Sequence, residues 1–190
     1  MKLSGEQMIA KPPEAVFAAL NDVQVLQLCI PGCKTLNKKS DTEMEATVVL
    51  KIGPVEATFK GAVTLSDINS PHGYAISGEG NGGVAGFAKG GAKVDLTPHE
   101  GGTMLRYDVS AQVGGKIAQL GSRLIDSTAK RLANQFFNKF GELLGDDGVK
   151  QVASVSENKA EESSKPRSNN TLIIAIAVVG VVVLLGYLSN

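Results

Sequence analysis

The sequence predicts an α+β fold: an antiparallel sheet of about six to seven strands, bent around one long C-terminal amphipathic helix, with a transmembrane helix after it. Three observations carry this. Between residues 43 and 113, apolar side chains recur mostly at every second position. From residue 117 to 144 they recur at helical spacing. Residues 172–188 contain no charge at all. A period of two places one set of side chains on one face of a strand, and a period of 3.6 places them on one stripe of a helix.

Taken in order, residues 3–9 read as a short strand. KPPEAVFAALND follows, where Pro12 and Pro13 set a helix start and Glu14 suits its first turn. Val16, Phe17 and Leu20 supply its apolar face. A second short helix covers Val23–Cys29 and is stopped by Pro31 and Gly32. In Glu43–Ile52, Met44, Ala46, Val48, Leu50 and Ile52 alternate with polar residues, and Gly53-Pro54 makes a tight turn. In residues 55–66, Val55, Ala57, Phe59, Gly61, Val63 and Leu65 share a face. Further strands are predicted over 73–80, 84–89, 92–97 and 103–113. Hairpin signals at 70–73, Gly90-Gly91 and 100–102 separate them.

A helix of about seven turns is predicted from Ile117, with Gly145 as its stop. Packing that helix across the sheet buries both apolar faces. Small residues such as Ala57, Gly61, Ala62, Ala75 and Ala92 fill space poorly. A cavity is therefore expected between sheet and helix, with a tight, filled core as the alternative. The domain occupies residues 1–145.

Residues 146–170 are rich in Ser, Asn, Glu and Lys and lack Leu, Ile and aromatics. Such a stretch cannot bury enough apolar surface to offset chain ordering, so it reads as a flexible linker. As a coil it spans roughly 25–30 Å, and fully extended about 80–90 Å. Residues 171–190 read as a membrane anchor, because twenty helical residues rise about 30 Å, the thickness of a bilayer's hydrocarbon core. Lys165 and Arg167 precede the run, and only Ser189 and Asn190 follow it. The positive-inside rule places the domain on the cytoplasmic side of the cell membrane. MKLSGEQMIAKPPE has no apolar signal-peptide core.

Composition excludes several functions. Lys plus Arg and Asp plus Glu each number 19, so net charge is zero and nothing invites nucleic acid. Trp is absent and aromatics make up 5% of the chain, which argues against a stacking platform. Two cysteines, Cys29 and Cys33, and two histidines, His72 and His99, are too few for a structural zinc framework. Gly78, Gly80 and Gly83 formally spell a dinucleotide glycine motif, but strand signal follows where that motif needs a helix. A bent strand is the better reading. CIPGC lacks a neighbouring His or acid and reads as loop packing. His72 and His99 fall in predicted turns and read as surface residues. No nucleophile–base–acid set stands out.

The series strand, KPPEAVFAAL, IPGC, sheet and long helix resembles the START-like (SRPBCC) helix-grip superfamily. Within it, the chain is similar to the carbon monoxide dehydrogenase G-subunit (CoxG) family over about residues 1–145. The resemblance rests on Ile30-Pro31-Gly32-Cys33, Lys51-Ile52-Gly53-Pro54-Val55, Gly61, Gly80-Asn81-Gly82-Gly83, Gly86, the run 113–125 (VGGKIAQLGSRLI) and Phe136-Phe137. It implies a non-catalytic accessory protein associated with molybdenum carbon monoxide dehydrogenase, or a related molybdenum hydroxylase, at the membrane. It also implies a lipophilic ligand held between sheet and long helix. A quinone, menaquinone or ubiquinone, fits electron transfer to the respiratory chain. No metal and no covalently bound cofactor is expected.

On that reading the cavity residues from the sheet are Val48, Leu50, Phe59, Val63, Ile76, Phe87, Val94 and Tyr107. The long helix contributes Leu120, Leu124, Leu132, Phe136 and Phe137, and the front helix Phe17 and Leu20. A quinone headgroup needs one or two polar partners, for which Tyr74, Tyr107, Gln112, Gln119 and Arg123 are candidates. The alternatives are a pure anchoring scaffold with no ligand, or a cyclase- or hydrolase-like enzyme of the same superfamily.

Overall fold

The computed structural model describes residues 1–145, so the predicted linker and anchor lie outside the described residues. The elements run β1 (Lys2–Ile9), α1 (Pro13–Leu20), α2 (Val23–Cys29), β2 (Cys33–Lys38), β3 (Glu43–Ile52), β4 (Val55–Asn69), β5 (Gly73–Asn81), β6 (Phe87–His99), β7 (Gly102–Gly114) and α3 (Ser122–Leu143). The seven strands form one antiparallel sheet in the order β1-β7-β6-β5-β4-β3-β2. From β2 to β7 it is a meander. β1 pairs with β7 at the far edge, so α1 and α2 carry the chain from one edge of the sheet to the other. Among the described residues no helix is long and apolar enough to cross a membrane.

Local chemistry explains the helix starts. Pro13 opens α1, where the missing N–H costs nothing. The Asp22 carboxylate caps α2, accepting from the backbone N–H of Gln24 at 2.7 Å and Val25 at 3.1 Å. The apolar stripe of α3 buries Ala129, Leu132, Ala133, Phe136, Phe137 and Phe140 against the sheet. Phe136 meets Phe137 edge-on at 5.2 Å and stacks on Phe140 at 5.7 Å, while Phe137 stacks on Tyr107 at 6.1 Å.

Three expectations are corrected. First, Gly90-Gly91 is not a turn. β6 runs through it in register with β5 and β7. The glycines are needed because neighbouring backbones come close: a Cβ on Gly91 would lie 2.7 Å from the Ile76 carbonyl oxygen, and one on Gly90 would collide with that of Ser110. The real reversal is at residues 82–86, where Gly83 and Gly86 take positive φ and the Asn81 side chain accepts from the Gly83 N–H at 2.7 Å. Gly82, Gly83 and Gly86 are thus hairpin chemistry, while Gly78 and Gly80 lie within β5.

Second, the long helix does not start at Ile117. A short 3-10 turn over Ala118–Leu120 ends at Gly121, whose φ of +84° breaks the helix, and α3 begins at Ser122. Its 22 residues make about six turns rather than seven. Ile117 is buried all the same, its N–H donating to the Ala85 carbonyl at 3.0 Å. Third, β2 is an unexpected strand. Only Leu36 in it is buried, so its sequence carries no full alternation.

Candidate functional site

The interior holds a cavity of about 50 Å³ walled by the two short helices, the sheet and α3. Leu20 of α1, Leu26 of α2 and Ile30 form one wall. Leu36 of β2, Met44 of β3, Val63 and Leu65 of β4, and Tyr74 and Ile76 of β5 form the sheet side. Phe136 of α3 closes it. These residues meet because the inward parity of neighbouring strands coincides with the face that α1 and α2 present as they cross the sheet.

Nine of the ten side chains are hydrocarbon or thioether; the Tyr74 hydroxyl is the one strong hydrogen-bonding group. Tyr74 is 4% exposed, and burial pushes its hydroxyl pKa upward, so it stays protonated and able to donate. The Phe17 ring meets it edge-on at 5.8 Å.

Of the fifteen predicted cavity residues, Leu20, Val63, Ile76 and Phe136 line this space. Val48, Leu50, Phe59, Val94, Tyr107, Leu132 and Phe137 are buried in the surrounding core. Phe17, Leu120 and Leu124 are half-buried. Phe87 is a correction. It is 43% exposed and shares the outward face of β6 with Lys89 and Lys93. Breaking β6 at Gly90-Gly91 hid that parity. A one-residue slip of register moves a side chain to the opposite face.

Leu26, Ile30, Leu36, Met44 and Leu65 were not anticipated at the cavity. Met44 and Leu65 share the parity of Val48 and Val63, so the alternation already marked them as inward. Of the polar candidates only Tyr74 reaches the cavity. Tyr107 lies in the aromatic stack, while Gln112, Gln119 and Arg123 are exposed. Gln7 is a buried polar residue that sequence reasoning missed. It is fully buried on the inward face of β1, its amide donates to the Met8 carbonyl at 3.2 Å, and its Oε1 has no partner among the described residues.

The cysteines show no sign of activation. Cys29 is buried, and desolvation pushes its thiol up to about 12, against a partial downward pull from Lys139. Cys33 is half-buried and likewise raised by burial. His72 and His99 are exposed. Among the described residues no group of three or more His, Cys, Asp or Glu is placed to hold a metal.

Comparison with known proteins agrees with this architecture. The family of the carbon monoxide dehydrogenase G-subunit (CoxG) matches residues 5–145. The crystal structure of a conserved protein from Geobacillus kaustophilus is similar at 31% identity, with a TM-score of 0.71, covering 76% of this chain and 95% of that one. A protein from Rhodobacter sphaeroides, at 16% identity and a TM-score of 0.55, covers 76% and 91%. The structure of Ara h 8.0201, at 15% identity and a TM-score of 0.54, covers 77% and 99%. The last two share the fold alone. No curated protein matches. With about three quarters of its length matched by the family, and with the helix-grip arrangement of sheet and long helix, the chain belongs to the carbon monoxide dehydrogenase G-subunit (CoxG) family.

Proposed function

We propose that this protein is a non-catalytic accessory protein that holds a lipophilic ligand between sheet and α3 and serves a molybdenum carbon monoxide dehydrogenase at the membrane. The fitting ligand is a respiratory quinone, menaquinone or ubiquinone, because a soluble oxidoreductase needs a membrane-soluble electron acceptor. The observation that carries this reading is the apolar cavity with a single hydroxyl, inside a domain of the CoxG family. The uncharged run at 172–188 supports a membrane anchor, with the domain on the cytoplasmic side. Burying an isoprenoid tail gains about 0.8 kcal/mol per CH₂, and leaving the bilayer loses a similar amount. Transfer between bilayer and protein is then near balance, and contact with the enzyme can tip it.

The size of the cavity favours a second reading. At about 50 Å³ it is far below the roughly 300–1,000 Å³ of drug-sized ligand pockets. A quinone ring enters only if α2 or the lining side chains move, and a scaffold with no ligand needs no such movement. The full chain, purified from a membrane-containing host and extracted with organic solvent, separates the two by mass spectrometry. A stoichiometric quinone is expected. No lipid, even after incubation with quinone-loaded vesicles, leaves the scaffold.

A further inference from the structure

Tyr74 stands out because its hydroxyl lies in an otherwise apolar space and enters none of the hydrogen bonds among the described residues. Among the described residues the buried side-chain polar atoms without a partner are Gln7 Oε1 and Asn134 Oδ1, so the Tyr74 hydroxyl, which is not one of them, keeps surface open to a group that enters the cavity. The backbone beside it is also unusual. β4 pairs with β5 at Ser66↔Ala75 and again at Asn69↔Gly73, so the register shifts opposite Tyr74. Asp67, inside that shift, has a φ of +48°, a left-handed conformation few side chains adopt. The extra residue belongs to β4, which bends there, while Tyr74 keeps its regular pairing with Val94 of β6. On the other side, Phe17 braces the Tyr74 ring edge-on.

We infer that Tyr74 is the polar anchor and specificity determinant of the ligand site, donating its O–H to a ring carbonyl oxygen of a lipophilic carbonyl compound. This rests on the proposed function, and it narrows the ligand class. A quinone or another lipophile with an accepting oxygen is selected, and an isoprenoid hydrocarbon of the same size is not. A site built around a buried donor rejects an analogue that lacks the acceptor more strongly than a hydrophobic wall rejects a change of shape.

The test uses the full chain in detergent micelles with two probes. One is a short-chain menaquinone with two isoprene units. The other is 2-methylnaphthalene carrying the same tail, which has no oxygen. Isothermal titration is expected to show about tenfold tighter binding of the quinone, and Tyr74→Phe is expected to remove that difference. In ligand-free micelles Tyr74→Phe is expected to leave Tm within about 2 °C of wild type, because the hydroxyl is neither sealed in the core nor hydrogen-bonded among the described residues. A Tm in that range also certifies that the variant folds. Unchanged quinone affinity in Tyr74→Phe overturns the inference while leaving the ligand site standing. Equal loss of both probes assigns Tyr74 to packing and overturns it as well. Wild-type protein that binds neither probe removes the ligand reading itself, and this inference with it.

Discussion

Phe136 closes the cavity and joins the aromatic cluster of α3, and it is completely buried. Phe136→Ala is expected to cost about 3–5 kcal/mol, measured by urea unfolding. Phe59 is equally buried, and Gly82 lies against its ring so closely that an added Cβ would overlap the ring edge. Gly82→Ala is therefore expected to cost about 1–3 kcal/mol by overpacking, although the backbone of Gly82 is not strained. Cys29 makes a pH-dependent contribution. Its thiol rises from 9.0 to about 12 through burial, so the folded state holds the proton more tightly than the unfolded chain. That contribution is intact below about pH 9 and is lost as pH rises toward 12. Wild type is expected to lose urea resistance between about pH 8 and about pH 11 more steeply than Cys29→Ala. Equal slopes would remove Cys29 as the cause.

At the scale of elements, α2 is a short wall of the cavity. It has seven residues, one acidic cap and two lining positions, Leu26 and Ile30 beside its end. Asp22→Ala removes both cap hydrogen bonds and is expected to cost about 1 kcal/mol. If α2 is the part that yields when a ligand enters, the same change speeds quinone uptake from vesicles in stopped-flow. A slower or unchanged rate places the opening elsewhere. Helix and strand periods made α1, α2, β3 and β4 legible because each pattern is continuous within its own segment. β6 was misread because a diglycine signals a turn and a close backbone approach with the same letters. That error carried Phe87 to the wrong face. The start of α3 was misread because Ile117 and Leu120 are apolar at helical spacing, and Ile117 is buried through a non-helical turn.

At the scale of the whole molecule, the domain, the polar stretch 146–170 and the uncharged run 172–188 divide the labour proposed for the chain. Full-length protein is expected to sediment with membranes and to resist high salt. A chain lacking residues 171–190 is expected to remain in the supernatant. Sedimentation of that shortened chain would move the membrane contact into the domain. The sheet, the long helix and their shared core follow from alternation and periodicity. These are local properties of the chain, readable one segment at a time, and they mark Tyr74 as inward without saying what it faces. Where the core is left unfilled is not local. The cavity lies where Leu20, Leu26, Leu36, Val63 and Phe136, from five separate elements, fall short of one another beside a register shift in β4. Only tertiary structure decides that, because a void is set by the distances between elements and not by the residues of any one of them.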